Sequence, residues 1–253
     1  MAQYGFGAGA LWGTPLTDAF GNPLANPSPI LFGVLQNVSV DISGDIKELN
    51  GQNQFAVAVG RGKGKIGLKA SFAQINGAII NSLFFGQTMT SGILSDVYDT
   101  TGAPIPSTPF AITPTVPSSG TWTADLGVRD ANGLPMTRVA ATPATGQYMV
   151  AAGVYTFAAA DTGKTVFISY QYTATSTVAK TSTVLNVPMG YAPKFRCDLF
   201  NGYSGKALSL TLFACVASKL TLATKLDDFM MPDFEASAFA DDSGRVLSWG
   251  TSE

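Results

Sequence analysis

The chain contains no histidine. That removes together the commonest general base, the usual activator of a nucleophile and the commonest transition-metal ligand. Cysteine is scarce as well, and Cys197 and Cys215 alone cannot make a disulfide framework. Charged residues are 13% of the chain, about half the usual share. A lone copy would have few ionic side chains with which to cover its surface, so burial against other copies is favoured over a neutral, Ser/Thr-rich monomer surface. No apolar run approaches the ~18 residues of a membrane span. The first ten residues hold no basic stretch leading into an apolar one, so neither export nor membrane embedding is expected. Long helical periods are rare, whereas Gly, Pro, Val, Thr and aromatic residues are frequent, which points to a β protein with many turns.

The remaining chemistry is thin. Ser-Lys and paired-carboxylate mechanisms stay formally open, yet the only adjacent acid pairs, Asp227-Asp228 and Asp241-Asp242, fall in predicted turns. The second pair does not have the alternate-position oxygens of an EF-hand loop. The expectation is a protein that is not an enzyme and that uses no cofactor and no metal. Acids concentrate at the end: Asp227, Asp228, Asp233, Glu235, Asp241, Asp242 and Glu253 face Arg245 alone. Such a segment suits a polar stacking contact or an acidic lining, and the chain has no strong basic face for sequence-specific nucleic-acid binding.

The most readable stretch is 33–86. In 35–42, Val38, Val40 and Ile42 alternate with polar residues, and in 65–73 Ile66, Leu68, Ala70 and Phe72 do the same, the period of half-buried strands. The period then changes. Ile75, Ala78, Ile79 and Leu83 mark one face of a helix over 75–85, with Gly86 placed to close it. Between the strands, 44–64 is a glycine-punctuated excursion. Its Asn50-Gly51 dipeptide signals a two-residue hairpin turn flanked by Phe55, Val57 and Val59, and Asp45, Lys47 and Glu48 lie on the approach. The run Arg61-Gly62-Lys63-Gly64-Lys65 does not have the spacing or the Lys-Ser/Thr end of a phosphate loop and leads into a strand, so it reads as a basic turn.

Residues 1–32 are rich in Gly and Pro but carry the anchors Tyr4, Phe6, Leu11, Trp12 and Phe20, the composition of an extended arm that packs on its own domain or on a neighbour. Residues 33–253 read as a single β domain, with the proline-rich 87–147 as an insertion or elaboration. Beyond it, 148–157 and 166–173 read as a hairpin turning at Asp161-Thr162-Gly163, with Val166, Ile168, Tyr170 and Tyr172 on one face. In the next hairpin, facing apolar residues set Leu199 opposite Leu208 and Cys197 opposite Leu210, around a four-residue loop at 202–205. That register turns Cys215 away from Cys197 and leaves both as free thiols. A last hairpin, 234–240 with 245–249, turns at 241–244.

Two regions then carry a resemblance. Val38 to Ile42, a long glycine-flanked loop, and the run 64–86 (Gly-Lys-Ile-Gly-Leu-Lys-Ala-Ser-Phe-Ala, then Ile-Asn-Gly-Ala-Ile-Ile-Asn-Ser-Leu-Phe-Phe-Gly) form one. Ala217 to Leu220, Asp227-Asp228-Phe229, Pro232 to Asp241 and Gly244-Arg245-Val246 form the other. Together they resemble the tail tube, or major tail, proteins of long-tailed bacteriophages. The resemblance implies a mainly β fold: two packed antiparallel sheets, sandwich- or barrel-like, with one short helix, closing into a ring β-barrel on oligomerisation. It implies homohexameric rings stacked into a tube in the virion tail, assembled in the host cytoplasm. Tape-measure, terminator and baseplate or tip proteins would be the other partners, DNA would pass through the lumen without sequence-specific binding, and no membrane is involved.

In such proteins the long loop and the terminal arms reach adjacent copies. The resemblance therefore assigns assembly roles to Asp45, Lys47, Glu48, Asn50, Gly51, Phe55, Arg61 and Lys63 in the loop. It assigns them also to Asp227, Asp228, Asp233, Glu235, Asp241 and Asp242 in the C-terminal segment, and to Tyr4, Phe6, Trp12 and Phe20 in the N-terminal arm. The competing expectations are a β-sandwich module on a virion or cell surface that binds carbohydrate or a receptor through aromatic residues of 148–203, and a capsid decoration protein.

Overall fold

The computed structural model describes residues 4–74 and 76–252. Among the described residues it is mainly β, with several packed antiparallel sheets, one helix longer than a single turn and no closed barrel. Strands of four residues or more, in chain order, are β1 (Ala10–Pro15), β2 (Leu35–Asn50), β3 (Ala56–Phe72), β4 (Ile93–Val97), β5 (Thr121–Asp130), β6 (Gln147–Ala151), β7 (Val154–Phe157), β8 (Thr165–Ala174), β9 (Lys194–Tyr203), β10 (Lys206–Thr221), β11 (Asp233–Phe239) and β12 (Leu247–Thr251). The helix α1 (Ile79–Phe85) has wide π-type turns. The chain divides into two compact units, Met1–Thr88 with Ser182–Glu253, and Met89–Thr181. The second unit therefore runs well past the 87–147 segment singled out from its prolines.

The first unit is one antiparallel sheet in the order β1, β9, β10, β11, β3, β2, with the short strand Ile30–Leu31 outside β1 and β12 also paired to β10. Its core gathers Leu11, Phe32, Leu68, Phe72, Ile79, Leu83, Phe195, Leu212 and Phe234. Phe32 meets Phe72 and Phe234 edge to face, and Phe195 lies against Phe234. Such contacts add about 0.5–1.5 kcal/mol each beyond the area they bury. The helix ends as its sequence requires: Gly86 takes the left-handed φ of 61° and donates its N–H to the Asn81 carbonyl. A side chain there would run into the backbone of Ala19. Ile79 and Leu83 bury the helix, and Leu83 lies so close to Gly13 of β1 that no Cβ fits between them. Ile75, expected on the same face, lies outside the described residues, as does Glu253.

Four sequence expectations are corrected here. The β9–β10 ladder pairs Leu199 with Leu210 and Cys197 with Leu212, two residues from the expected register, and leaves only Ser204-Gly205 as the turn. An extra β10 residue opposite Arg196 makes a bulge, after which Cys215 stands opposite Phe195. The bulge reverses the parity of β10, so Cys215 faces inward and joins Cys197 in the core; both are free thiols. The neighbouring Cys215 thiol, with burial, raises the pKa of Cys197. The expected hairpin of β11 with β12 is also absent. Both strands pair with β10, β12 along 208–212 and β11 along 214–221, because β10 is long enough to serve the two in turn.

In the second unit, β8 is central, paired with β4 and β5, and its inward residues Val166, Ile168, Tyr170 and Tyr172 are buried as their alternation predicts. The expected partner of β8 is not its neighbour. Residues 148–157 form their own hairpin, β6–β7, turning at Ala152-Gly153, both at positive φ. That geometry is the hairpin-favouring kind, but Ala at its first position is an unusual residue for it.

Candidate assembly surface

The glycine-punctuated excursion does not interrupt its two strands. β2 and β3 run on through it and pair from Leu35–Phe72 out to Asn50–Ala56, so 41–65 is a two-stranded arm extending from the sheet. At about 3.3 Å per residue, 41–50 reach roughly 30 Å. Beyond Ile66 no third strand flanks the arm, since β11 pairs with β3 only along 66–71. Its tip is a five-residue loop, 51–55, in place of the two-residue turn expected at Asn50-Gly51. A bulge beside Leu49 sets Asn50 opposite Ala56.

Alternation carries the core face of the sheet onto the arm. Val38 and Val40 pack on the core; Ile42, Ile46, Val57 and Val59 continue that side and are exposed, Val59 by 65%. Phe55, in the tip loop, is 82% exposed. Burying such side chains is worth about 1.5–3 kcal/mol each, and the first unit leaves that stabilisation unused. Arg61 lies opposite Ile46 and extends across Gly44, where a Cβ would meet its guanidinium. Asp45 and Lys47 stand beside Gly62 across a second bulge. Among the described residues, Asp45, Lys47, Glu48, Arg61 and Lys63 make no ion pair. The segment 49–60, holding Asn50, Gly51 and Phe55, carries no charge at all.

The six C-terminal acids are not brought together. Asp227 and Asp228 lie on the connection from β10 to β11, where Leu226 and Phe229 are 97% and 87% exposed. Asp228 pairs with Lys225 at 3.1 Å, which holds its carboxyl below the usual range. Asp233 accepts the Ser71 hydroxyl, and Glu235 lies 3.8 Å from Lys219. The Asp241 carboxylate accepts two bonds from the Arg245 guanidinium, which, with backbone N–H donors of the turn, lower its pKa. Asp242 is exposed in that turn.

The N-terminal arm belongs to its own unit from Ala10 onward. β1 is inserted between β9 and Ile30–Leu31, with Leu11 fully buried and Trp12 half-buried. Phe6 packs on Tyr203 at 5.5 Å and Phe20 on Tyr191 at 6.4 Å between ring centroids, while Tyr4 is exposed.

Sequence reasoning missed a polar network inside the second unit. The Tyr148 and Tyr155 hydroxyls donate to the two oxygens of Asp125, at 2.7 and 3.2 Å, and the indole N–H of Trp122 donates to Tyr155. Burial, then contact with Asp125, pushes both tyrosine pKa values well up. Tyr148, Tyr155, Tyr170 and Tyr172 are thus core residues, whereas Tyr203, the fifth aromatic of the carbohydrate-binding expectation, is 48% exposed beside Phe6. Among the described residues no group of three Asp, Glu or Cys side chains is placed to hold a metal ion, and no helix is long and apolar enough to cross a membrane.

No protein-family model matches the chain, and no curated protein matches it.

Proposed function

We propose that the protein is a virion structural protein, a tail tube subunit whose copies close into hexameric rings and stack into the conduit for DNA. One observation carries this reading: the two-stranded arm of 41–65, whose core-type face is exposed and whose edges are unpaired. Unpaired strand edges template association with further strands, and closed symmetric assembly is the ordinary way to use them without open-ended aggregation. The low overall charge is consistent with surface that other copies cover. No catalytic role is assigned to any residue.

The test is deletion of 46–59. The variant is expected to keep its circular-dichroism spectrum and its cooperative melting, because none of those residues lies in the core, and to form no rings or tubes in negative-stain micrographs. Normal tubes from the variant, or its unfolding, would remove the basis of the proposal.

A further inference from the structure

The first unit leaves a second surface incomplete. The apolar ladder of β9 and β10 runs outward from Cys197–Leu212 through Leu199–Leu210 to Asn201–Leu208. Its outer end is not sealed. Leu199, Asn201 and Leu208 line an open groove of about 740 Å³ with Gln36, Asn37 and Val38 of β2, and the backbone of Gly5 and Gly7 forms one wall. The wall is fixed by the Asn201 side-chain amide, which donates to the Gly7 carbonyl at 2.7 Å. Close contact fixes it too, since a Cβ at Gly9 would overlap the Phe200 carbonyl. The groove sets the apolar side chains of Val38, Leu199 and Leu208 beside the amides of Gln36, Asn37 and Asn201, and no charged residue lines it.

We infer that this groove receives the tip of the β2–β3 arm of a second copy. The inference rests on the assembly reading above and names the surface on which the arm docks. Three observations select this occupant. The tip segment 49–60 is free of charge, so it brings no ion whose desolvation a neutral groove would leave uncompensated. It carries Asn50, Gln52, Asn53 and Gln54 beside Phe55, Val57 and Val59, the same pairing of amides with apolar side chains that the groove offers. Both surfaces are also continuations of one core face: the arm is that face without a cover, and the groove is that face without its last layer. Of the other exposed apolar segments of the first unit, the one around Leu226 and Phe229 holds Lys225, Asp227 and Asp228, and the uncharged one from Val184 to Tyr191 carries a single amide, Asn186, so both match the groove less well.

The experiment uses the full chain and two charge variants. One carries Gln52→Lys and Gln54→Lys in the tip, the other Gln36→Glu and Asn37→Asp in the groove. All four positions lie outside the two cores, so both variants are expected to melt as the unmodified chain does. Each alone is expected to need at least about tenfold more protein to assemble, the cost of a charge placed in a neutral contact. Mixing the two variants is expected to restore assembly, because basic tips meet acidic grooves and native tips meet native grooves. Restoration on mixing also shows that the contact is between copies.

Assembly of either variant at the unmodified concentration would overturn the inference, as would failure of the mixture to recover. Loss of assembly from the groove variant alone would assign the groove to another segment and overturn it equally. If the unmodified chain forms no assembly at any concentration, the assembly reading itself fails, and that control distinguishes the two failures.

Discussion

Two halves of one hairpin behave differently. Near the sheet, Val38, Val40, Leu68, Ala70 and Phe72 face inward and lie in the core with Ile79, Leu83 and Phe234. Farther out the same strands keep the same antiparallel pairing and nearly the same alternation, yet Ile42, Ile46, Val57 and Val59 face solvent. The difference is not in the local sequence preference for strand. It lies in what stands opposite: the inner half has a helix and an aromatic cluster above it, and the outer half has neither. Strand periodicity reports that a face is meant to be covered, and it does not say whether the cover comes from the same chain.

Substitution can break this contrast at either end. Phe72→Ala, at the covered end, is expected to cost about 3–5 kcal/mol through lost burial and a residual cavity, readable as a large fall in the midpoint of denaturant unfolding. Phe55→Ala, at the uncovered end, is expected to stay within about 0.5 kcal/mol while reducing assembly. A Phe55→Ala variant that unfolds as readily as Phe72→Ala would show that the tip is covered within its own chain.

Acid should act through carboxylates whose pKa is held low, among them Asp228 and Asp241 at the surface of the first unit, where solvent screens the effect, and Asp99 and Asp161 in the second. Burial raises the pKa values of Asp99 and Asp161, but hydrogen bonds outweigh it and hold both below the usual carboxylate value. Gly102, Ile168 and Thr101 N–H groups do so for Asp99, and Lys164 and the Gly146 N–H do so for Asp161. A carboxylate with a depressed folded pKa contributes stability that is complete above the unfolded value, near 4, and that is lost as pH falls through the folded value. Thermal melts are therefore expected to weaken below about pH 4. Asp161→Asn should lower stability by about 1–3 kcal/mol at neutral pH and flatten the acid limb, and an unchanged acid limb would argue against Asp161 as a source. The smallest effect is expected from salt. If the basic residues Arg61, Lys63 and Lys65 face acids of another copy, raised ionic strength should loosen stacked rings, seen by sedimentation, with little change in melting.

Much of the inner hairpin, the C-terminal glycine of the helix and the inward face of β8 was legible, because period and end signals there agree. Three kinds of feature were not. Glycines at 44, 60, 62 and 64 suggest a loop, but the strand runs on through them, with 44, 60 and 64 paired and Gly62 in a bulge; without side chains they give alternation nothing to show. Bulges are invisible to a reading that assumes a uniform ladder, so Cys215 stands on the face opposite to the one plain alternation predicts. β1 is short, ends at Pro15 and lies among glycines; its full length is paired by β9, nearly two hundred residues away in sequence. The candidate surface was readable as a region at 44–64, whereas the groove was not, since β2, β9 and β10 meet there only after folding.

The extra residue in β10 has a meaning beyond the position of one thiol. The last pair with β12 is at Leu212 and the first with β11 is at Ala214, so the strand changes neighbours where it changes parity. Removing Ala214 would restore plain alternation from Leu212 to Cys215 and keep every inward side chain inward. What it would take away is the bulge, and with it the local bend and added twist that a bulge gives a strand, at the point where β10 passes from one neighbour to the next. Composition and curvature can thus be separated at a single residue, a place where shape is encoded by a count and not by a chemical property.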